Sequence, residues 1–343
     1  MKKVLSASLC LILALATFAG CGNGGGAAVN AGGSGSSAAA GPEFTIRFAH
    51  IENELTGTAQ GVRVWQRYVE ENSGGRIAVN VLGAGALGSE REILEATIMG
   101  TIEGGMAMSS LFTTYQPNWD IIDLPFTFSD RDDLVAKLRG EMGDILRADA
   151  EELGIKVLNF FDAGFRVISN NQRPIEDISD FNGMLNRVPE STLLIETHTA
   201  LGGSPTPMAF GEVYTALQLG TIDGVETAAI YVQDGNFQEV TSYTTLTNHS
   251  ANVQITFLNQ AFFDSLPPDL QEVINDATER AVDAQRQIAI EADELALEAI
   301  AAAGVAINTP SPELVAQMRS ATAGVIDSYR DRIDPRLIAL AGF

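Results

Sequence analysis

Arg187, in G-M-L-N-R-V-P-E-S (183–191), is a cation inside a mostly apolar stretch that stops at Pro189. Arg166 holds a comparable place in F-R-V-I-S-N (165–170). An arginine offers a planar fork of donors that matches a carboxylate bidentately, and it keeps its charge when desolvated. Carried on a strand rather than a loop it is pre-organised, so less side-chain entropy is lost on binding. The chemistry on offer is recognition of an anion. Two readings stand side by side for Arg187: a ligand cation, or a structural salt bridge to Glu190, Glu212 or Asp223.

Catalytic chemistry is poorly represented. His50, His198 and His249 are widely separated and lack metal-ligand spacing such as H-E-x-x-H. No G-x-S-x-G elbow and no phosphate loop of the G-x-x-x-x-G-K-S/T kind occurs. G-A-G-A-L-G (83–88) fits G-x-G-x-x-G formally, but it lacks an acidic ribose partner at the end of a following strand and reads as a turn. Asp132-Asp133 and Glu151-Glu152 read as solvated helix faces. The expectation is a binding protein, not an enzyme, with no cofactor and no metal.

The elements that must position the arginines alternate. Strands are expected over 44–50 and 76–82, with a helix between them carrying Val62, Trp65 and Val69 at helical spacing. A helix over 90–100 ends at Gly100, an apolar run covers 102–108, a helix spans about 130–153, and a strand follows at 155–161. A second unit opens near Gly164 with strands at 165–170 and 184–189, helices around 191–201 and 211–219, and T-I-D-G-V-E-T (221–227). A strand over 251–259 returns to the first unit. Prolines 267 and 268 start a helix with no breaker before Gly304, roughly 50 Å long at ~1.5 Å per residue, enough to brace two domains unless it kinks.

At 343 residues the chain is long enough for two cores. With 44 acidic and 21 basic residues its formal charge is −23, which argues against nucleic acid and anionic membrane surfaces as partners. An acid-binding pocket must therefore concentrate its cations locally. Lys2 and Lys3, the apolar run Val4–Phe18 and the small pair Ala19-Gly20 before Cys21 have the layout of a secretory signal. F-A-G-C resembles the bacterial lipoprotein processing box, which implies lipidation of Cys21. Only Cys10 and Cys21 exist, so cleavage there leaves a body with no intramolecular disulfide. Residues 22–42 are a Gly/Ser/Ala tether.

Several segments together carry a family resemblance. They are R-I-A-V-N-V-L-G-A-G-A-L-G-S-E-R-E, D-L-P-F-T-F, G-F-R-V-I-S-N-N-Q-R-P-I-E, F-N-G-M-L-N-R-V-P-E-S and L-G-G-S-P-T-P-M-A-F-G-E-V-Y-T-A-L-Q-L-G-T-I-D-G-V-E-T, with N-H-S. The chain resembles the DctP-type solute-binding proteins of TRAP (tripartite ATP-independent periplasmic) transporters over about residues 44–330. That resemblance implies an α/β fold of two domains in the manner of periplasmic binding proteins, with a ligand cleft between them and a long bracing helix. It implies domain I at 44–164 with a return segment at about 251–290, and domain II at 165–250 with a C-terminal segment at about 291–343. It implies capture of an organic acid and its delivery to membrane subunits driven by an ion gradient. The R-V-P arginine, here Arg187, is the expected carboxylate contact; Arg166 and Phe210 are expected to assist. Thr227 stands where sialic-acid-binding members carry asparagine, a departure that removes a paired donor and acceptor. His50, Glu52 and Ser109 are the first-domain candidates for ligand contact, and Glu212 and Tyr214 are expected to hold the helix after P-T-P. A sensor feeding a receptor and a lipoprotein enzyme are the alternative readings.

Overall fold

A computed structural model describes residues 41–343. The signal segment, Cys21 and nearly all of the tether lie outside the described residues. Ten strands alternate with helices: β1 (Phe44–Ala49), β2 (Ile77–Leu82), β3 (Gly104–Met108), β4 (Ile155–Asn170), β5 (Leu185–Val188), β6 (Ser204–Pro207), β7 (Gly224–Ala228), β8 (Tyr243–Thr245), β9 (Ala251–Asn259) and β10 (Ala306–Asn308). The order is β2-β1-β3-β9-β4-β7-β5-β6, with β8 also on β4 and β10 on β8. β1 lies parallel to β2 and β3, and β5 parallel to β6 and β7. β9 runs antiparallel between β3 and β4.

The strands expected at 155–161 and 165–170 are one continuous strand. Asp162 and Gly164 interrupt the apolar run, but the backbone absorbs them in a register shift between Asp162 and Phe165, with Gly164 at φ 89°. Such an irregularity bends a strand without ending it. Up to Phe165, β4 pairs β9; from Arg166 on it pairs β7 and β8. It therefore carries the chain from a first lobe (β1, β2, β3, β9) to a second (β5, β6, β7, β8, β10). The helix expected over 130–153 is two, Arg131–Arg139 and Glu141–Glu152, broken at Gly140, whose ψ of −154° is extended.

Helix Gly57–Asn72 places Val62, Trp65 and Val69 on the first-lobe sheet. Thr56 caps it, accepting from the Ala59 N–H. Gly57 is required by packing: a Cβ there would lie 2.8 Å from Ala289 Cα of the long helix. That helix, Pro268–Ala302, is unbroken over 35 residues. Leu270, Ile274, Ala277 and Ala281 pack in the first lobe, and Ile300 packs with Val225 and Val232 in the second. It braces both lobes as its length requires. The final segment departs from expectation. Leu314 and Met318 pack in the second lobe, but Tyr329, Ile333, Leu337 and Ile338 return to the first-lobe core. The chain thus crosses back, and 291–343 is shared between lobes. Among the described residues, no helix is long and apolar enough to cross a membrane.

Candidate functional site

Loops that follow parallel strands converge on one cavity of about 370 Å³. Ile51 follows β1, Gly85 and Glu90 follow β2, and Leu111 follows β3, while Arg187, Pro189 and Phe210 come from the ends of β5 and β6. Open α/β sheets place their ligands at such carboxyl ends of strands. A narrower recess continues inward, lined by Arg166, Thr227, Tyr231, Asn252 and Gln254. The cavity brings Arg187 and Phe210 together, and the recess places Arg166 and Thr227 beside them.

Arg187 is 4% exposed on β5, held between β6 and β7. Its Nε donates to the Met208 carbonyl at 3.0 Å, and its guanidinium lies 6.0 Å from the Phe210 ring centroid, within cation–π reach. Phe210 is itself held edge-on by Tyr231 at 5.9 Å. Among the described residues no carboxylate pairs with Arg187. Glu190 engages Arg91 instead, Asp223 accepts from the Leu185 N–H and Gln172, and Glu212 is exposed. Burial lowers the Arg187 pKa to about 10, partly offset by Glu226, so it stays charged at neutral pH.

Arg166 is in a different situation. Fully buried, it lies 3.4 Å from Asp123 on one side and 3.4 Å from Glu226 on the other. Ser109 Oγ donates to Asp123 at 2.8 Å, and His249 Nε2 sits 3.3 Å from Glu226. Burial raises the Asp123 carboxyl against the lowering pull of Arg166. Burial also works to raise Glu226, but the Arg166 charge and His249 outweigh it and hold the group at about 2. Arg166 is thus already neutralised by protein carboxylates. Its sequence gave the same signal as Arg187, and only the fold separates them.

Three first-lobe candidates do not line the cavity. Ser109 is buried and committed to Asp123. His50 and Glu52 are both buried, with His50 Nδ1 3.4 Å from Glu52. Glu52 accepts from the Tyr231 hydroxyl at 3.2 Å, and Asn53 donates to Asp234 at 2.8 Å, so this loop ties the first lobe to the second. Tyr214 donates to Glu239 at 2.9 Å, which ties down the first turn of helix Val213–Gln218; exposed Glu212 makes no side-chain bond there.

The residue that sequence reasoning missed is Glu90. It opens helix Glu90–Ile98, where an acid is expected simply to complement the helix dipole. Here it lines both the cavity and the recess, accepting from the Met108 N–H at 3.0 Å. Burial and the nearby Glu52 raise its pKa to about 7, with Arg187 pulling the other way. The clue available was its position after the glycine-rich turn 83–88, at the carboxyl end of a strand.

Two lobes joined by β4, β9 and a bracing helix, with a cation in the cleft, define a cleft-type solute-binding protein. The chain belongs to the DctP family, bacterial extracellular solute-binding protein family 7, whose model matches residues 48–332. Among its relatives, the C4-dicarboxylate-binding periplasmic protein DctP of Rhodobacter capsulatus is 32% identical over 296 residues, 85% of this chain and 87% of the relative. A TRAP periplasmic solute-binding protein of Sulfurospirillum deleyianum, solved with bound succinate, superposes with a TM-score of 0.83 at 30% identity, covering 88% of this chain and 99% of its own. The sugar-acid-binding DctPAm of Advenella mimigardefordensis, in complex with galactonate, gives 0.84 at 27% identity, covering 88% and 97%. This chain is accordingly an extracytoplasmic solute-binding protein of the TRAP class.

Proposed function

We propose that this protein captures an organic acid between its lobes, with the ligand carboxylate on the Arg187 guanidinium, and hands it to the membrane subunits of a TRAP transporter. The observation that carries this reading is a buried, charged arginine facing a 370 Å³ cavity while no carboxylate among the described residues pairs with it. Desolvating a cation without a counter-charge is costly unless a ligand supplies one. The cavity falls within the size range of small-molecule sites. Relatives solved with succinate and galactonate support a carboxylate ligand.

Phe210 covers an apolar or ring face of the ligand, and Thr227 lines the inner end. Arg166 acts from behind, holding Asp123 and Glu226 in place. Ser109, His50 and Glu52 support the wall rather than touch the ligand. Lipidation of Cys21 and a leash over 22–42 keep the body at the membrane surface where the transporter lies; the signal-like start of the chain supports this.

A thermal-shift screen of organic acids, each paired with its neutral amide, tests the reading. A ligand at a hundred times its Kd adds about 2.7 kcal/mol by mass action. Acids are expected to raise the melting temperature while the amides leave it unchanged; equal shifts from acid and amide would refute the carboxylate contact.

A further inference from the structure

Glu90 and Arg187 belong to different lobes, yet they line the same cavity and the same inner recess. Part-buried Glu90 opens helix Glu90–Ile98 of the first lobe, and Arg187 lies on β5 of the second. The hydrogen bonds each makes are to main-chain groups. The Met108 N–H donates to Glu90 at 3.0 Å, and Arg187 Nε donates to the Met208 carbonyl at 3.0 Å. Among the described residues neither has an oppositely charged side chain within salt-bridge distance.

The charged groups around Glu90 are otherwise committed. From the loop after β1, Glu52 adds a like charge, and His50 Nδ1 lies 3.4 Å from Glu52. On its own helix, Arg91 faces Glu190 of the second lobe at 3.8 Å, and Glu92 serves the Ser89 cap. From the second lobe, the Tyr231 hydroxyl donates to Glu52 at 3.2 Å. Arg166 on β4 stands 3.4 Å from both Asp123 and Glu226. On β9 the neighbour is Gln254, which is uncharged. Arg187 is the cation whose field favours the Glu90 anion.

A ligand carboxylate on Arg187 changes that balance in three ways, all in one direction. It cancels the field of the arginine at Glu90. It adds its own negative charge to an enclosed space, where like charges repel more strongly than in water. It displaces water from a cavity of about 370 Å³, and desolvation favours the neutral acid over the carboxylate. Each effect raises the proton affinity of Glu90. Its carboxyl already titrates near neutrality, at about 7, so a further rise converts directly into bound protons.

We propose that Glu90 takes up a proton when an acid binds at Arg187, so that the ligand anion and a proton enter the cleft together. The inference rests on the reading of Arg187 as the carboxylate contact. The proton passes from solvent to a Glu90 carboxylate oxygen, and no covalent bond of the ligand changes. A group whose proton affinity rises in the complex tightens binding at pH values where the complex holds the proton, and that gain is lost as the pH climbs. Affinity is therefore expected to be greatest in mildly acidic solution and to fall as the pH rises above about 7.

Titration calorimetry tests this with the tightest binder of an acid panel that includes galactonate, glucuronate and succinate. At pH 7.5, in phosphate and in Tris, the binding heats differ by the protons taken up, because the two buffers have different ionisation enthalpies. An uptake of about half a proton or more per ligand is expected. Between pH 7 and pH 9, where these acids are ionised, the Kd is expected to weaken about tenfold. In Glu90→Gln the uptake is expected to vanish and the Kd to stay level. Glu52→Gln, which removes the like charge near Glu90, is expected to move the weakening to lower pH. Binding without proton uptake, or an uptake that persists in Glu90→Gln, would overturn the proposal and leave the Arg187 contact standing. Failure of every acid in the panel to bind would overturn both.

Discussion

The same substitution at Arg187 and at Arg166 should have very unequal effects on the ligand-free protein. At Arg187 the guanidinium is desolvated, with one carbonyl and one ring for company. Its pKa falls from the ordinary guanidinium range to about 10, which corresponds to about 3 kcal/mol against the charged form at roughly 1.4 kcal/mol per tenfold. For a base with a lowered pKa, this penalty is present in full below pH 10 and relaxes only above it. Arg187→Met removes the penalty and the Nε bond to Met208, which is worth about 1 kcal/mol. The net gain is about 2 kcal/mol, or about 4 °C in melting temperature for a chain of this size. Hydration of Arg187 when the lobes part shrinks the penalty, so the variant is expected between about 2 kcal/mol more stable and about 1 kcal/mol less stable than the parent, well clear of the loss at Arg166. Arg166→Met instead leaves Asp123 and Glu226 buried together without their cation, at a cost of about 3–5 kcal/mol. Chemical denaturation of both variants at pH 7.5 reads the contrast. If Arg187→Met lost as much stability as Arg166→Met, Arg187 would be a structural residue and the site reasoning would be wrong.

Phe210→Ala removes the ring 6.0 Å from Arg187. Affinity for the cognate acid should fall several-fold, about 0.5–2 kcal/mol by titration calorimetry, with little change in stability. Glu90 has a folded pKa raised to about 7, so its charged form destabilises the fold as pH rises from about 4.5 to 7 and above. Glu90→Gln should therefore be more stable than the parent at pH 8, with the difference vanishing towards pH 4.5 in denaturation curves. Asn53→Ala removes the 2.8 Å bond to Asp234 that joins the lobes. It should speed ligand release in stopped-flow measurements more than it slows capture. Gly61→Val places carbon within 2.9 Å of Gln285 and Phe161 and should lower the melting temperature by several degrees.

Arg187 was legible in the sequence because a short apolar run around a cation, stopped by proline, leaves few alternatives to a strand end. The long helix was legible because it lacks any breaker from Pro268 to Gly304. β6 was not, since S-P-T-P (204–207) has two prolines and reads as a loop; its strand geometry comes from pairing alongside β5. The unity of β4 was hidden by Asp162 and Gly164, which a local reading takes as a turn. Asp162 is tolerated within the strand because Arg131 pairs with it and with Asp293 of the long helix. Arg166 and Arg187 were equivalent by local pattern. What separates them is long-range: the partners of Arg166 are 43 and 60 residues away. Glu90 became a cavity residue for the same reason, through the meeting of loops from separate strands.

The most direct test of the central claim is the affinity of Arg187→Ala for the acid that binds the parent protein most tightly, with circular dichroism to show an intact fold. Loss of a buried, charge-paired contact predicts a Kd at least about thirtyfold weaker. An unchanged Kd in a folded variant would contradict the assignment of Arg187 as the carboxylate receptor.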